Sequence, residues 1–161
     1  MAIMRRSLLA TVFAGLVAGG SRLFGGTPDR IGRLTLTDAQ WRKRLSSSAY
    51  DVLRHAGTER PYTSMLLHEY RKGRFACAGC DLAVFDSSAK FDSGTGWPSF
   101  WQALPGAVEQ RSDFDIGIPR VEVRCARCQG HLGHVFNDGP PPTGKRYCMN
   151  GVALSFHPVP K

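Results

Sequence analysis

The spacing of apolar and polar positions changes at Pro61. Before it, Thr37-Asp38-Ala39-Gln40 has the spacing of a capping box, in which the Thr hydroxyl and the Gln amide satisfy exposed backbone groups. A helix is predicted from there to about Leu45, with Ser46-Ser47-Ser48 as an interruption. A second helix is predicted over about Ala49–His55, with Tyr50 and Leu53 on one face and Gly57 as its stop. Both are expected to pack on the core rather than carry chemistry. After Pro61 come short apolar stretches broken by Gly, Pro, Ser and Asp. Phe75 to Cys77, Ala83 to Phe85, Val121 to Val123, Val135-Phe136 and Tyr147 to Phe156 read as strands joined by turns. The expected body is mainly β with small helices in front, and 161 residues support one domain.

Cysteine spacing adds chemistry to this outline. Cys77/Cys80 and Cys125/Cys128 are two Cys-x-x-Cys knuckles, and four thiolates so arranged suit one tetrahedral Zn²⁺, structural and one per chain. Four-thiolate sites also suit iron. A metal there would pin strands distant in sequence and offset the loop entropy of a small, loop-rich core. The fifth cysteine, Cys148, is left over. If Lys145 to Phe156 is one strand, Arg146, Cys148 and Asn150 share a face while Tyr147 and Met149 point the other way. A cation beside a thiol favours the thiolate, which makes Cys148 a candidate nucleophile. A small buried core residue is the other reading, and the local sequence leaves both open.

His131 and His134 follow the second knuckle. Four cysteines already complete one metal shell, so a general-acid or hydrogen-bonding role suits these histidines better, and either alone can equally be structural. In Ser93-Gly94-Thr95-Gly96-Trp97-Pro98 a glycine-flanked turn presents Trp97 at a loop tip, where it can wall an apolar pocket; Trp101 is expected in the core.

The start of the chain is set apart from the fold. Arg5-Arg6 precedes an uncharged run, Leu8 to Gly20, that is short for a membrane span and matches the apolar region of an export signal. Residues 1–26 are assigned as an export signal or N-terminal anchor with its linker, and residues 27–161 as the folded domain. Adjacent arginines resemble a twin-arginine signal, which would let the metal be loaded before crossing; an ordinary secretory signal is the alternative. Val17-Ala18-Gly19 only approximates a cleavage site, so an uncleaved membrane anchor stays open, and the expected location is the bacterial periplasm. The formal charge of +8 sits mainly in front: residues 1–60 carry ten Lys/Arg against four Asp/Glu, and residues 61–161 eleven against nine. The interleaved charges of the second part make nucleic acid an unexpected partner.

Taken in order, Gly-Thr-Glu-Arg-Pro (57–61), Cys-Ala-Gly-Cys (77–80), Lys-Phe-Asp-Ser-Gly-Thr-Gly-Trp-Pro-Ser-Phe (90–100), His-Leu-Gly-His-Val-Phe-Asn-Asp-Gly-Pro (131–140) and Arg-Tyr-Cys-Met-Asn (146–150) resemble the type B methionine-R-sulfoxide reductases. The resemblance spans roughly residues 38–157. It implies two antiparallel β-sheets with peripheral helices, a structural zinc away from the active site, and thiol-dependent repair of oxidised proteins by reduction of methionine-R-sulfoxide. By the same resemblance Cys148 is the nucleophile that becomes a sulfenic acid, and His134 with His131 nearby protonates the sulfoxide oxygen. Trp97 holds the substrate methyl group, and Arg146 and Asn150 position the nucleophile and lower its pKa. A monomer is expected.

The chain departs from the family pattern at Thr95, where many relatives carry the cysteine that resolves the sulfenic acid. Threonine cannot do so, and the other four cysteines are expected on zinc. Recycling is therefore expected from an external thiol such as a thioredoxin-like protein. Gly151 also stands where serine is common. A non-catalytic zinc-ribbon-like binding module and a Cys-x-x-Cys dithiol oxidoreductase are the rival readings; Cys148→Ser would leave the former intact, and the latter would hold no stoichiometric metal.

Overall fold

The computed structural model describes residues 31–160, so the predicted export segment lies outside the described residues. Helix α1 (Asp38–Arg44) opens on the anticipated capping box: the Thr37 hydroxyl accepts from the Gln40 N–H, and the Gln40 side chain accepts from the Thr37 N–H at 2.8 Å. Helix α2 (Ser47–His55) begins earlier than predicted, because the Ser46 hydroxyl accepts from the Ala49 N–H at 3.2 Å. Serines that read as an interruption are in fact a cap. Its left-handed stop is Ala56 (φ 56°) rather than Gly57, whose N–H closes the last turn on the Asp51 carbonyl. Trp41, Val52 and Leu53 are buried, so the helices join the core as expected.

Two antiparallel sheets follow, as expected. Strands β1 (Gly73–Cys77), β2 (Ala83–Asp86) and β9 (Leu154–Pro158) form one, in the order β2-β1-β9. The other contains β3 (Lys90–Phe91), β4 (Ser99–Phe100), β5 (Val108–Asp113), β6 (Arg120–Cys125), β7 (His131–Phe136) and β8 (Arg146–Met149), in the order β3-β4-β8-β7-β6-β5. Phe75, Phe85 and Phe100, all fully buried, join the two sheets: Phe85 stacks on Phe100 with centroids 4.3 Å apart, and Phe75 meets Phe100 edge-on at 4.9 Å. Truncating any one of them to alanine would cost about 3–5 kcal/mol.

The single strand predicted over Tyr147–Phe156 is two strands in different sheets. Between β8 and β9 a short 3-10 turn, Gly151–Ala153, carries the chain from one sheet to the other. Val152, Ala153 and Leu154 are apolar enough for a strand, so nothing in the local sequence marks the break. Its cause is distant: the Glu59 carboxylate accepts the N–H groups of Gly151 and of Val152, the latter at 3.1 Å, and so takes them out of any ladder. Strand β5 carries no strand signature in the sequence, because four of its six side chains are exposed and polar; the pairing with β6 is what makes it a strand.

Candidate functional site

Each knuckle ends a strand. β1 runs into Cys77, β6 into Cys125, and each carries a bulge just before, at Phe75/Ala76 and Val123/Arg124. Asp81 and Gln129 then turn left-handed (φ 61° and 60°), so the two turns share one geometry. All four cysteines are buried, and their sulfurs lie within 4.8 Å of one another, with Cys77–Cys128 at 3.6 Å and Cys80–Cys125 at 3.4 Å. Zinc with bonds of about 2.3 Å spaces its sulfurs by about 3.8 Å, so both donor set and spacing fit such an ion. Hydrogen bonding from Cys125 pushes the Cys77 thiol up and holds Cys80 and Cys128 down, while Cys128 pushes Cys125 up. A central cation is what would let all four ionise together. Helix α2 and the second knuckle brace the cluster from outside: Arg54 donates to the Cys128 carbonyl and Arg127 to that of Cys80, each at 3.1 Å.

Cys148 stands apart from this cluster, half-buried in β8. Its neighbours across the sheet are Ser99 on β4 and His134 on β7. Cross-strand partners share a face, so a serine, a thiol and an imidazole lie in one row. Gly133 allows that approach, since a Cβ there would stand 2.2 Å from the Cys148 carbonyl oxygen. Trp97 and Phe136 wall a cavity of about 150 Å³ over the row, with His134, Arg120, Cys148 and Asn150 among its polar lining. The alternation read from the sequence therefore holds from Arg146 to Asn150, although the strand ends there. Tyr147 packs on Phe85 and Met149 is buried, both away from the cavity.

His134 and His131 are separated by their surroundings. His134 Nε2 lies 2.7 Å from Asp113 Oδ2. A carboxylate only accepts, so Nε2 carries the proton and Nδ1 is the nitrogen left for exchange. Asp113 is held down to about 2, first by the Asp115 N–H and then by His134, and it also accepts from Arg120 at 2.6 Å. His131 is 2% exposed and gives Nδ1 to Glu122 at 2.8 Å, while burial pushes its pKa down. It lines not the thiol cavity but a neighbouring cleft of about 400 Å³, which shares only His134 and Arg120 with that cavity. The larger cleft is walled mainly by carboxylates, arginines and histidines and contains no thiol, so chemistry rather than size singles out the smaller one.

Arg146 is held in place rather than free. Its Nε and Nη2 make a two-pronged pair with Asp138 at 2.9 and 2.7 Å, its guanidinium lies over the Phe136 ring at 4.3 Å, and its charge reaches Cys148. Asp138 raises the Arg146 pKa, and Arg146 lowers that of Asp138. Glu59 ties the other side together. Its N–H donates to Asn150 Oδ1 at 2.9 Å, and its carbonyl accepts from Trp97 Nε1 at 3.1 Å. Trp97 is thus pinned at the loop tip, and Trp101 is partly buried against the core. Sequence reasoning gave no role to Asp113, Arg120, Phe136, Asp138 or Glu59. Phe136, Asp138 and Glu59 lie inside the family motifs, whereas Asp113 and Arg120 face each other only through β5–β6 pairing.

Fold and site together define a two-sheet β domain with a buried four-cysteine cluster whose donors fit a metal ion, and a separate thiol pocket. Residues 45–158 match the SelR domain family, and the chain belongs to it. A protein named peptide methionine sulfoxide reductase MsrB from Thiobacillus denitrificans is 56% identical over 123 residues, covering 76% of this chain and 93% of its own. Proteins of the same name from Agrobacterium fabrum and Leifsonia xyli are 50% and 53% identical over 128 residues, covering 79% and 78% of this chain and 95% and 92% of theirs.

Proposed function

We propose that this protein reduces methionine-R-sulfoxide in oxidised proteins to methionine, with Cys148 as the nucleophile. The observation that carries the reading is the register of β8 with β7, which sets the one thiol outside the metal cluster directly opposite His134 beneath the Trp97–Phe136 wall. The two rings form an apolar wall for the substrate methyl group. The Cys148 thiolate attacks the sulfoxide sulfur, and His134 supplies the proton without which the oxygen is a poor leaving group. The S–O bond of the substrate breaks, the released hydroxide bonds to the Cys148 sulfur, and the transient bond between the two sulfurs breaks with its electron pair on the substrate, so that methionine departs as the thioether and Cys148 is left as a sulfenic acid. Arg146, locked by Asp138, favours the thiolate; Asn150, fixed by Glu59 and by donation to the Leu132 carbonyl at 3.2 Å, shapes the floor. His131 acts from behind His134, their centroids 5.3 Å apart.

The way back needs a second thiol. All five cysteines are accounted for by Cys148 and the cluster, so a thioredoxin-like dithiol takes the oxygen away as water and leaves as a disulfide. Zinc in the cluster would hold the knuckles of the two sheets together, a structural charge rather than a reacting one. An epimer-resolved sulfoxide assay with dithiothreitol and with a thioredoxin system tests this. The R epimer alone should be reduced, dimedone should trap Cys148 after one turnover without reductant, and Cys148→Ser should release no methionine. A full methionine burst from Cys148→Ser would sink the assignment.

A further inference from the structure

A run of hydroxyls leads from the Trp97 carbonyl to the sulfur of Cys148. Ser99 Oγ donates to the Trp97 carbonyl at 3.1 Å; Ser93 Oγ lies 2.7 Å from Ser99 Oγ and 2.8 Å from Thr95 Oγ1; Thr95 Oγ1 lies 3.7 Å from Cys148 Sγ. Ser99, the member nearest the carbonyl, is fully buried and faces Cys148 across the β4–β8 pair.

Each hydroxyl has one proton to donate, which leaves the chain two consistent directions. With Ser99 donating to the Trp97 carbonyl, Ser93 must donate to Ser99 and Thr95 to Ser93. Thr95 then has no proton for the sulfur and can only accept from it, which suits a neutral thiol. With the direction reversed, Ser99 donates to Ser93, Ser93 to Thr95 and Thr95 to the sulfur, which suits a thiolate. The reversed chain releases the Trp97 carbonyl from Ser99, and in exchange the terminal hydrogen bond becomes charge-assisted.

We propose that Ser99, Ser93 and Thr95 form a two-state hydrogen-bond relay whose direction follows the charge on Cys148, with Thr95 as the positioning residue that stabilises the thiolate. Cys148 has a full set of charged neighbours besides. Arg146 on its own strand is paired with Asp138, His134 on β7 with Asp113, and Arg120 on β6 with Asp113. Glu59, from the segment before β1, is spent on Gly151 and Val152. None of these side chains hydrogen-bonds a relay hydroxyl, so the relay adds to their field rather than duplicating it. The position at which many relatives carry a resolving cysteine thus holds a hydroxyl that touches the sulfur without being able to bond to it covalently.

The relay rests on Cys148 being the nucleophile, but it is read by titration rather than by turnover. The experiment is the pH dependence of Cys148 alkylation by iodoacetamide in the zinc-loaded full chain, followed on the Cys148 peptide by mass spectrometry. Thr95→Val removes the donor to the thiolate and should raise the midpoint by about one pH unit, roughly the worth of one hydrogen bond made to the charged form alone. Thr95→Ser should restore it. Ser99→Ala removes the competing carbonyl terminus, frees Ser93 to donate toward Thr95, and should lower the midpoint. Ser93→Ala leaves Thr95 no acceptor but the sulfur and should lower it too, which keeps the test open if Ser99→Ala misfolds. Shifts of the same sign at Thr95 and at the serines, or no shift at either end, would overturn the relay. Single-turnover methionine release is measured in parallel. If the wild type releases none while the opposed shifts persist, the reductase reading falls and the relay stands.

Discussion

A side chain at Gly151 has no free space. A Cβ there would stand 1.7 Å from Ser64 Oγ, 2.6 Å from Ser64 Cβ and 3.2 Å from Glu59 Oε1. Gly151→Ser should therefore push Ser64 off the Leu66 N–H that it accepts at 3.1 Å and disturb the Glu59 clamp, at a cost of about 1–3 kcal/mol. Ser64→Gly in the same chain should return most of that loss. Urea unfolding of the two single variants and the double variant measures the coupling, and strictly additive effects would show that the two residues do not share one volume. Thr95 offers a second residue-level test. With its hydroxyl 3.7 Å from Cys148 Sγ, Thr95→Cys should form a disulfide with Cys148 on turnover without reductant, detected by mass spectrometry under non-reducing conditions. A stable sulfenic acid in that variant would mean the loop holds the two apart. The two partnerships differ in how far the sequence reaches them: the family pattern already sets position 95 against Cys148, whereas Ser64 is remote from Gly151 in the chain, and only the fold brings the two together.

Among the elements, the β5–β6 hairpin contributes more to the site than its exposed, polar sequence suggests. It delivers Asp113 to His134 and Arg120 to Asp113. Because the folded Asp113 carboxyl is depressed to about 2 from an ordinary 3.8, it binds its proton less readily folded than unfolded. Its contribution to stability is complete above the ordinary value and is lost as pH falls from about 4 toward about 2. Urea midpoints of the wild type should fall across that window, and Asp113→Asn should flatten the fall. An unchanged acid limb in the variant would remove Asp113 from the account. The segment after β8 makes the complementary point. Residues 147–156 have the apolar content of one strand, and Glu59, arriving from a distant segment, divides them.

On the scale of the whole molecule, the cysteine cluster is the joint between sheets. Cys77 belongs to the three-stranded sheet and Cys125 to the six-stranded one, and Cys80 and Cys125 are 45 positions apart in the chain. The purified protein should contain one zinc per chain. Structural zinc sites contribute on the order of 10 kcal/mol, so stripping the metal with a chelator, or replacing Cys125 with serine, should abolish cooperative thermal unfolding. Elemental analysis and calorimetry decide it; a metal-free chain that melts at an unchanged temperature would refute a structural role.

Short-range chemistry was readable from the sequence because its partners are neighbours. The capping box at Thr37, the paired knuckles and the alternation of Arg146, Cys148 and Asn150 each depend on residues a few positions apart, where backbone periodicity fixes which side chains meet. Motifs in order were also enough to point to the family. The fold decided what depends on strands meeting across the sheet: that His134 rather than His131 lines the thiol cavity, that Asp113 and Asp138 orient the histidine and the arginine, and that Glu59 ties Trp97 to Asn150. Register between strands is set by how two whole sheets bury Phe75, Phe85 and Phe100 together. Such pairings are a property of the packed molecule, and no local stretch of sequence carries them.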